Sequence, residues 1–390
     1  MKPFEFTTGG RIIFGRGQFE RVGELAAELG RRALVVTNAD RSGKLGLLER
    51  LAKLLAPRSI GHTLFRVDGE PRAEDVDRGV EAARQAQCDV LIALGGGSAI
   101  DAAKAIAGLL ANGGVALDYM EVVGQGRKIS RPSLPWIAIP TTAGTGAEAT
   151  RNAVIAAPEK HFKASIRSHH LLPRVALVDA ELGLHVRPEI TARSGMDALT
   201  QLVEAYTSTG AEPLTDALAL QGLACAARSL RRAYRHGGDL DAREDMALAA
   251  LLSGVCLNNA GLGAVHGFAS PLGARFPIPH GTVCAALLPH VVAANIAALR
   301  QNPAALTRYA TIGRTLAENP ALPHDEALGV CQSFIRTLVA DLQIPRLGQF
   351  GLTAKDIPEL VASAQKSSSM RYNPVSLPAE VLAEIVRLAL

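Results

Sequence analysis

Three residues in the second half of the chain belong to types that bind divalent metals. Asp197 lies in Gly195-Met196-Asp197-Ala198-Leu199-Thr200-Gln201, His266 in Val265-His266-Gly267-Phe268-Ala269-Ser270-Pro271, and His280 in Pro279-His280-Gly281. One carboxylate and two imidazoles can hold Zn²⁺ or Fe²⁺ with a position left open for substrate. Asp197 and Gln201 are spaced i, i+4, as are His266 and Ser270, so each pair shares one helix face. A fourth ligand is expected one turn after Asp197, where Gln201 offers only a weak amide donor. A lone histidine on a helix is more often structural. Two glycine-flanked histidines in a His-poor apolar region leave the metal and structural readings both open. His161 and His169-His170 form a competing group, which reads as a solvated loop beside Lys163 and Arg167.

Two small-residue loops point to a nucleotide. The apolar run Val90–Leu94 enters Gly95-Gly96-Gly97-Ser98 and then a helix carrying Asp101 and Lys104. Glycines let the backbone approach a pyrophosphate, and the helix N-terminus offers free N–H groups and a positive dipole end. The pattern is not GxGxxG, and a glycine run can also be only a tight turn. The second loop, Ile139-Pro140-Thr141-Thr142-Ala143-Gly144-Thr145-Gly146-Ala147-Glu148, offers hydroxyls for phosphate or a nicotinamide amide, or else is a Thr-rich turn. Two such loops after parallel strands fit a nucleotide at the carboxyl edge of a sheet. The run at 33–37 ends at Asn38, which can bond a ribose 2′-hydroxyl yet does not repel a 2′-phosphate. Arg41 and Lys44 are nearby cations that also suit a solvated helix start. NAD is preferred, with NADP left open.

The elements that must carry these residues change character near residue 185. Before it, short β-branched runs (33–37, 90–94, 136–139, 175–178) alternate with amphipathic segments at about 18–29, 43–56, 73–86 and 98–110. This predicts an α/β domain with a parallel, Rossmann-like sheet over 1–184. Residues 4–6 and 11–14 around Gly9-Gly10 predict an N-terminal hairpin. After it, 188–207, 213–234, 242–259, 290–299, 304–318 and the last residues from 378 read as helices. This predicts an all-α domain over 185–390.

Composition sets outer limits. The 390 residues are 48% hydrophobic and 4% aromatic, with a formal charge of +4 and no basic stripe or charge block, so no nucleic-acid partner is expected. The five cysteines are odd in number, far apart and without a CxxC, which suits buried thiols in a reducing, cytoplasmic setting. The N-terminus shows no apolar signal-peptide core. No run of ~18 uninterrupted apolar residues predicts a membrane span.

Together these segments resemble the iron-containing (group III) alcohol dehydrogenases, of dehydroquinate-synthase-like fold. The resemblance runs nearly end to end: Gly95–Ser98 with Asp101 and Lys104, the 140–148 loop, 173–179, 191–197, 266–280, and Arg371-Tyr372-Asn373-Pro374. It implies an N-terminal NAD(P) domain, a C-terminal metal domain, an active site in the cleft between them, and homodimers paired through the N-terminal strands. It implies a cofactor set of Asn38, Gly69, Gly96, Gly97, Ser98, Asp101, Thr141, Thr142, Thr145 and Lys163, with Lys163 near the ribose. The family's metal is held by one Asp and three His. Asp197, His266 and His280 match, Gln201 replaces the second ligand, and Ser270 stands where the family carries a further histidine near the nicotinamide. A serine hydroxyl can relay a proton but cannot act as a base near neutral pH. Three readings follow: hydride transfer between a small alcohol and its aldehyde or ketone, assisted by Fe²⁺ or Zn²⁺ at Asp197, Gln201, His266 and His280; a metal-independent reductase of the same fold, resembling those that act on maleylacetate; or a non-catalytic nucleotide-binding protein.

Overall fold

The computed structural model describes residues 3–38, 46–160 and 162–390, so Arg41, Lys44 and His161 lie outside the described residues. The chain forms two compact units, one of Thr7–Thr142 with Gly146–Val186, the other of Met1–Phe6, Ala143–Thr145 and Arg187–Leu390.

The first unit is α/β. Its elements run β1 (Arg11–Phe14), α1 (Val22–Leu29), β2 (Arg32–Asn38), α2 (Leu47–Leu55), β3 (Gly61–Val67), α3 (Ala73–Gln85), β4 (Val90–Gly95), α4 (Gly97–Asn112), β5 (Trp136–Pro140), β6 (Asn152–Ala157), β7 (Phe162–Arg167) and β8 (Val175–Val178). Six strands form one parallel sheet in the order β1-β8-β5-β4-β2-β3. Side chains alternate across it. Leu34, Val36, Leu91, Ala93, Trp136 and Ala138 pack with α3 and α4 on one face. Ala33, Val35, Ile92, Leu94, Ile137 and Leu177 pack with α1 and α2 on the other. Burial on both faces is why these strands read as unbroken apolar runs.

Two local expectations fail. The N-terminal hairpin does not form: β1 pairs in parallel with β8. Gly10 donates to the Pro173 carbonyl, and a Cβ at Gly10 would fall 2.6 Å from the Arg174 carbonyl oxygen. The two glycines therefore serve close approach to 173–174 rather than a turn between strands. The segment around Lys163 and Arg167, expected as a loop, is β7, which pairs antiparallel with β6. Its alternating polar residues hide a strand that buries only every second side chain.

The second unit is helical: α5 (Pro188–Thr207), α6 (Pro213–Arg235), α7 (Leu240–Ala260), α8 (Ala264–Arg275), α9 (His280–Ala298), α10 (Pro303–Leu316), α11 (His324–Asp341), α12 (Ile357–Ala364) and α13 (Ala379–Leu388). α11 and α12 were not expected, α8 bears out the helix face shared by His266 and Ser270, and α9 begins ten residues before the expected start, with Pro289 inside it. α5 is buried on nearly every side. α9 is long and apolar enough to cross a membrane by length and composition alone, yet 67% of that stretch is buried within the unit. Its composition is that of a core helix packed on α5, α8, α11 and α13.

Candidate metal centre

Three helices of the second unit bring the metal-type residues together. Asp197 sits mid-way along α5, 2% exposed. His266 is the third residue of α8. The start of α8 is fixed by Glu204, whose Oε1 accepts the Val265 amide at 2.7 Å, and by Asn373, whose Oδ1 accepts the Ala264 amide at 3.2 Å. Asn373 belongs to the closing Arg371-Tyr372-Asn373-Pro374 motif, which thereby gains a structural role. His280 opens α9. The next residue, Gly281, lies so close to α5 that a Cβ there would sit 2.1 Å from the Arg193 carbonyl oxygen. That contact seats the first turn of α9 one helical turn from Asp197.

The donor atoms converge. Asp197 Oδ1 lies 3.4 Å from His266 Nε2 and 3.5 Å from His280 Nε2. Cys284, one turn after His280 on α9 and fully buried, places Sγ 3.6 Å from His266 Nε2 and 3.7 Å from His280 Nε2. Among the described residues, Asp197, His266, His280 and Cys284 form the one group of this kind whose donors fit a single ion. Donors around a tetrahedral ion at ~2.05 Å from N or O and ~2.3 Å from S stand ~3.4 Å (N to O) and ~3.6 Å (N to S) apart. The observed separations match. Asp197 Oδ1 is buried and, among the described residues, has no hydrogen-bond partner, because both imidazoles lie beyond good hydrogen-bond distance. A cation supplies what that oxygen lacks, so the residues present fit a divalent metal.

Behind the donors, Glu204 Oε2 contacts His266 Nδ1 at 2.6 Å. A carboxylate can only accept, so Nδ1 carries the proton and Nε2 keeps its lone pair toward the cluster. Electrostatics agree. Burial alone would raise the Asp197 carboxyl, but His280 and His266 outweigh it and hold it well below the usual carboxylate range. Burial would lower both histidines, but Cys284 with Glu204 (His266) or Asp197 (His280) raises them. The cluster attracts positive charge, as protons or as a metal ion. It is reached from the His280 side, whose side chain is 41% exposed.

Both ends of the Gln201 side-chain amide are engaged by other groups. The residue is 2% exposed; its Nε2 donates to the Thr145 carbonyl at 3.3 Å, and its Oε1 accepts the Ser253 hydroxyl at 2.9 Å. Ser270 is exposed on α8. His169 and His170 are exposed on a short turn of the α/β unit. Cys284 and Glu204 were missed. Their signal was spacing: His280 and Cys284 at i, i+4, and Asp197, Gln201 and Glu204 at i, i+4, i+7 on one helix.

In the α/β unit, Asn38, Gly69, Gly96, Gly97, Ser98, Thr141 and Thr142 lie at or just beyond the carboxyl ends of the neighbouring strands β5, β4, β2 and β3, whereas Asp101 lies inside α4 and Lys163 on β7. Gly96, Gly97 and Ser98 open α4, where the first N–H groups lack intrahelical partners. Asn38 Oδ1 accepts the Gly96 amide at 3.0 Å, and a Cβ at Gly96 would stand 3.1 Å from Thr142 Oγ1. Gly69 has φ of +71° beyond β3, and the adjacent Glu70 pairs with Lys163 on β7. Asp101 accepts the Val154 amide at 3.1 Å. Fully buried Lys104 donates to Ala147 O, Thr150 Oγ1 and Asn152 O at 2.9, 2.9 and 2.7 Å. These two side chains fasten the 147–154 segment to α4. Thr141 follows β5 in this unit, whereas Thr145 belongs with the helical one, where Gln201 holds its carbonyl.

Two family models match the chain. One described as iron-containing alcohol dehydrogenase matches residues 9–180, and its C-terminal counterpart, Fe-containing alcohol dehydrogenase family, matches residues 191–390. The chain belongs to the iron-containing alcohol dehydrogenase family. It is 36% identical to the 1,3-propanediol dehydrogenase of Citrobacter freundii, over all of this chain and 99% of that one. It is 34% identical to the NAD-dependent methanol dehydrogenase of Bacillus methanolicus, over 97% of each. The crystal structure of a 1,3-propanediol oxidoreductase superposes with a TM-score of 0.93 at 35% identity, covering both chains fully. The family's dehydroquinate-synthase-like architecture is the one described above.

Proposed function

We propose that this chain is an NAD-dependent oxidoreductase that interconverts a small alcohol and its aldehyde or ketone by hydride transfer, with a divalent metal at the Asp197 cluster. The observation that carries this reading is the buried, unpartnered Asp197 Oδ1 facing two imidazoles at metal-donor spacing. A metal-independent reductase would instead have protonated imidazoles supply the positive charge beside that oxygen. Relatives named as propanediol and NAD-dependent methanol dehydrogenases support the substrate class and the cofactor.

A bound ion supplies electrophilic stabilisation of charge on the substrate oxygen, and the nicotinamide supplies the hydride chemistry. The protein's own residues do the rest. Glu204 fixes the His266 tautomer. The free N–H groups at the start of α4 receive the pyrophosphate. Asn38 braces that glycine loop through the Gly96 amide. Ser270 offers a hydroxyl that relays a proton but does not hold one.

The test is NADH consumption with a panel of short aldehydes and hydroxyaldehydes, before chelation, after it, and after Fe²⁺ or Zn²⁺ is restored. Activity that falls and returns is expected. No turnover across the panel with metal bound overturns the dehydrogenase reading, and undiminished turnover in verified metal-free protein replaces it with the metal-independent one. The ratio of kcat/KM for NADH and NADPH tests the cofactor preference. We also propose a homodimer joined along β1, an edge strand whose Ile12 is 41% exposed; light scattering in solution tests it. A cytoplasmic site suits the five free thiols.

A further inference from the structure

We propose that Cys284, and not Gln201, completes the metal site, so that the ligands are Asp197, His266, His280 and a cysteine thiolate. This rests on the reading above only in supposing that a metal binds.

Three observations carry it. The first is geometric. Cys284 Sγ stands 3.6 and 3.7 Å from the two imidazole nitrogens, and these edges exceed the 3.4 and 3.5 Å edges to Asp197 Oδ1. A sulfur ligand requires that difference, because a metal–sulfur bond is ~0.2–0.3 Å longer than a bond to N or O. The second concerns Gln201. The Thr145 carbonyl can only accept, so it faces the Gln201 amide NH₂, and the amide oxygen is turned to Ser253. Ser253 Oγ also stands 3.4 Å from the Gly144 carbonyl. Gln201 is thereby a clasp that ties the 143–145 segment to α5 and α7. The third is placement. Cys284 is fully buried on the face of α9 that carries His280, and its sulfur faces the two imidazole nitrogens.

Binding requires the thiol to lose its proton to solvent as the metal–sulfur bond forms, with no change of oxidation state. Asp197 and Cys284 then bring two negative charges to a divalent ion, where an amide fourth ligand would leave one. A thiolate with two imidazoles favours Zn²⁺ over harder ions such as Mg²⁺ or Mn²⁺.

The full-length protein loaded with one equivalent of Co²⁺ or Zn²⁺ tests this without reference to turnover. The expected result is a thiolate-to-cobalt charge-transfer band in the near ultraviolet, and a single sulfur scatterer at ~2.3 Å in zinc X-ray absorption. Both signals vanish in Cys284→Ser and persist in Gln201→Ala. Metal affinity falls more than ~100-fold in Cys284→Ser and by less in Gln201→Ala, since outer-shell changes cost ~10–100-fold. Stoichiometric metal in wild-type protein with only nitrogen and oxygen scatterers overturns the proposal, and this arm requires no variant to fold. So does a sulfur signal that survives Cys284→Ser. An active dehydrogenase lacking the sulfur signal removes this inference and leaves the proposed function. A clear sulfur signal in a protein inert toward every carbonyl compound does the reverse.

Discussion

Glu204 touches no proposed metal donor atom except through His266, yet replacing it with glutamine should disturb both folding and metal binding. Its two oxygens accept from His266 Nδ1 at 2.6 Å and from the Val265 amide at 2.7 Å, and it is 4% exposed. An amide of the same shape has one accepting oxygen and one donating NH₂. Whichever way the amide in Glu204→Gln turns, its NH₂ meets a donor. Unless the His266 ring moves its proton, one hydrogen bond is lost and leaves a buried donor unsatisfied, which costs ~1–3 kcal/mol. The other falls from charge-assisted to neutral strength, roughly another 1 kcal/mol. Urea unfolding of the metal-free variant should therefore show a loss of ~2–4 kcal/mol. If the NH₂ faces His266, the ring must shift its proton to Nε2, the nitrogen that points at Asp197 and Cys284. Zinc affinity, read by competition with a chromophoric chelator, should drop ~10–100-fold. Stability within ~0.5 kcal/mol of wild type, together with a zinc affinity changed by well under ~10-fold, would show that Glu204 does not orient His266.

Three other outcomes follow from buried groups and close contacts. Burial pushes the Glu148 carboxyl up to about 7 from 4.5, against its own backbone amide and Lys104. Its contribution to stability is therefore full below pH 4.5 and gone above about 7, so Glu148→Gln should gain on wild type between pH 4.5 and 8 by on the order of 3 kcal/mol; parallel stability curves refute this. Lys104→Met removes the buried cation that pairs with Asp101 and binds Ala147 O, Thr150 Oγ1 and Asn152 O, and should cost ~3–5 kcal/mol while weakening NAD binding; a loss below ~1 kcal/mol in denaturant melts would show that the lysine is not the fastener of the 147–154 segment. Gly281→Ala drives a methyl into the Arg193 carbonyl and should displace His280, lowering zinc affinity, whereas Gly238→Ala has open space and should not; equal affinities in the two variants refute the role given to the α5–α9 contact.

What could be read beforehand follows from how each feature is encoded. The parallel strands were legible because a strand covered on both faces needs an unbroken apolar run, as at 33–37 and 90–94. The glycine run after β4 was legible as a tight strand-to-helix junction, where a Cβ at Gly95 would stand 2.6 Å from Asn38 Oδ1 and 2.8 Å from Ala99 Cβ. β7 was not legible, since its polar residues face away from a sheet that only its partner β6 defines. The early start of α9 was hidden by Pro289, which interrupts the local pattern although packing on α5 and α8 carries the helix through it.

The metal site shows the same limit more sharply. Asp197, His266 and His280 stood out by residue type, but residue type cannot choose between two helix faces. Gln201 and Cys284 each lie one turn from a strong ligand, so local spacing ranks them equally. Ser253, on α7, and Thr145, far upstream in the chain, make the difference: they engage both ends of the Gln201 amide and leave the sulfur facing the imidazoles. If the thiolate is the ligand, the change at 201 and the cysteine at 284 are one compensated exchange rather than a weakened site. That exchange makes a joint prediction. Cys284→Ser should damage the metal centre even with Gln201 intact, and adding Gln201→His should restore little of it, because the histidine would enter a space bounded by Thr145 and Ser253. Zinc affinity in the double variant equal to wild type would show instead that either turn can supply the fourth donor.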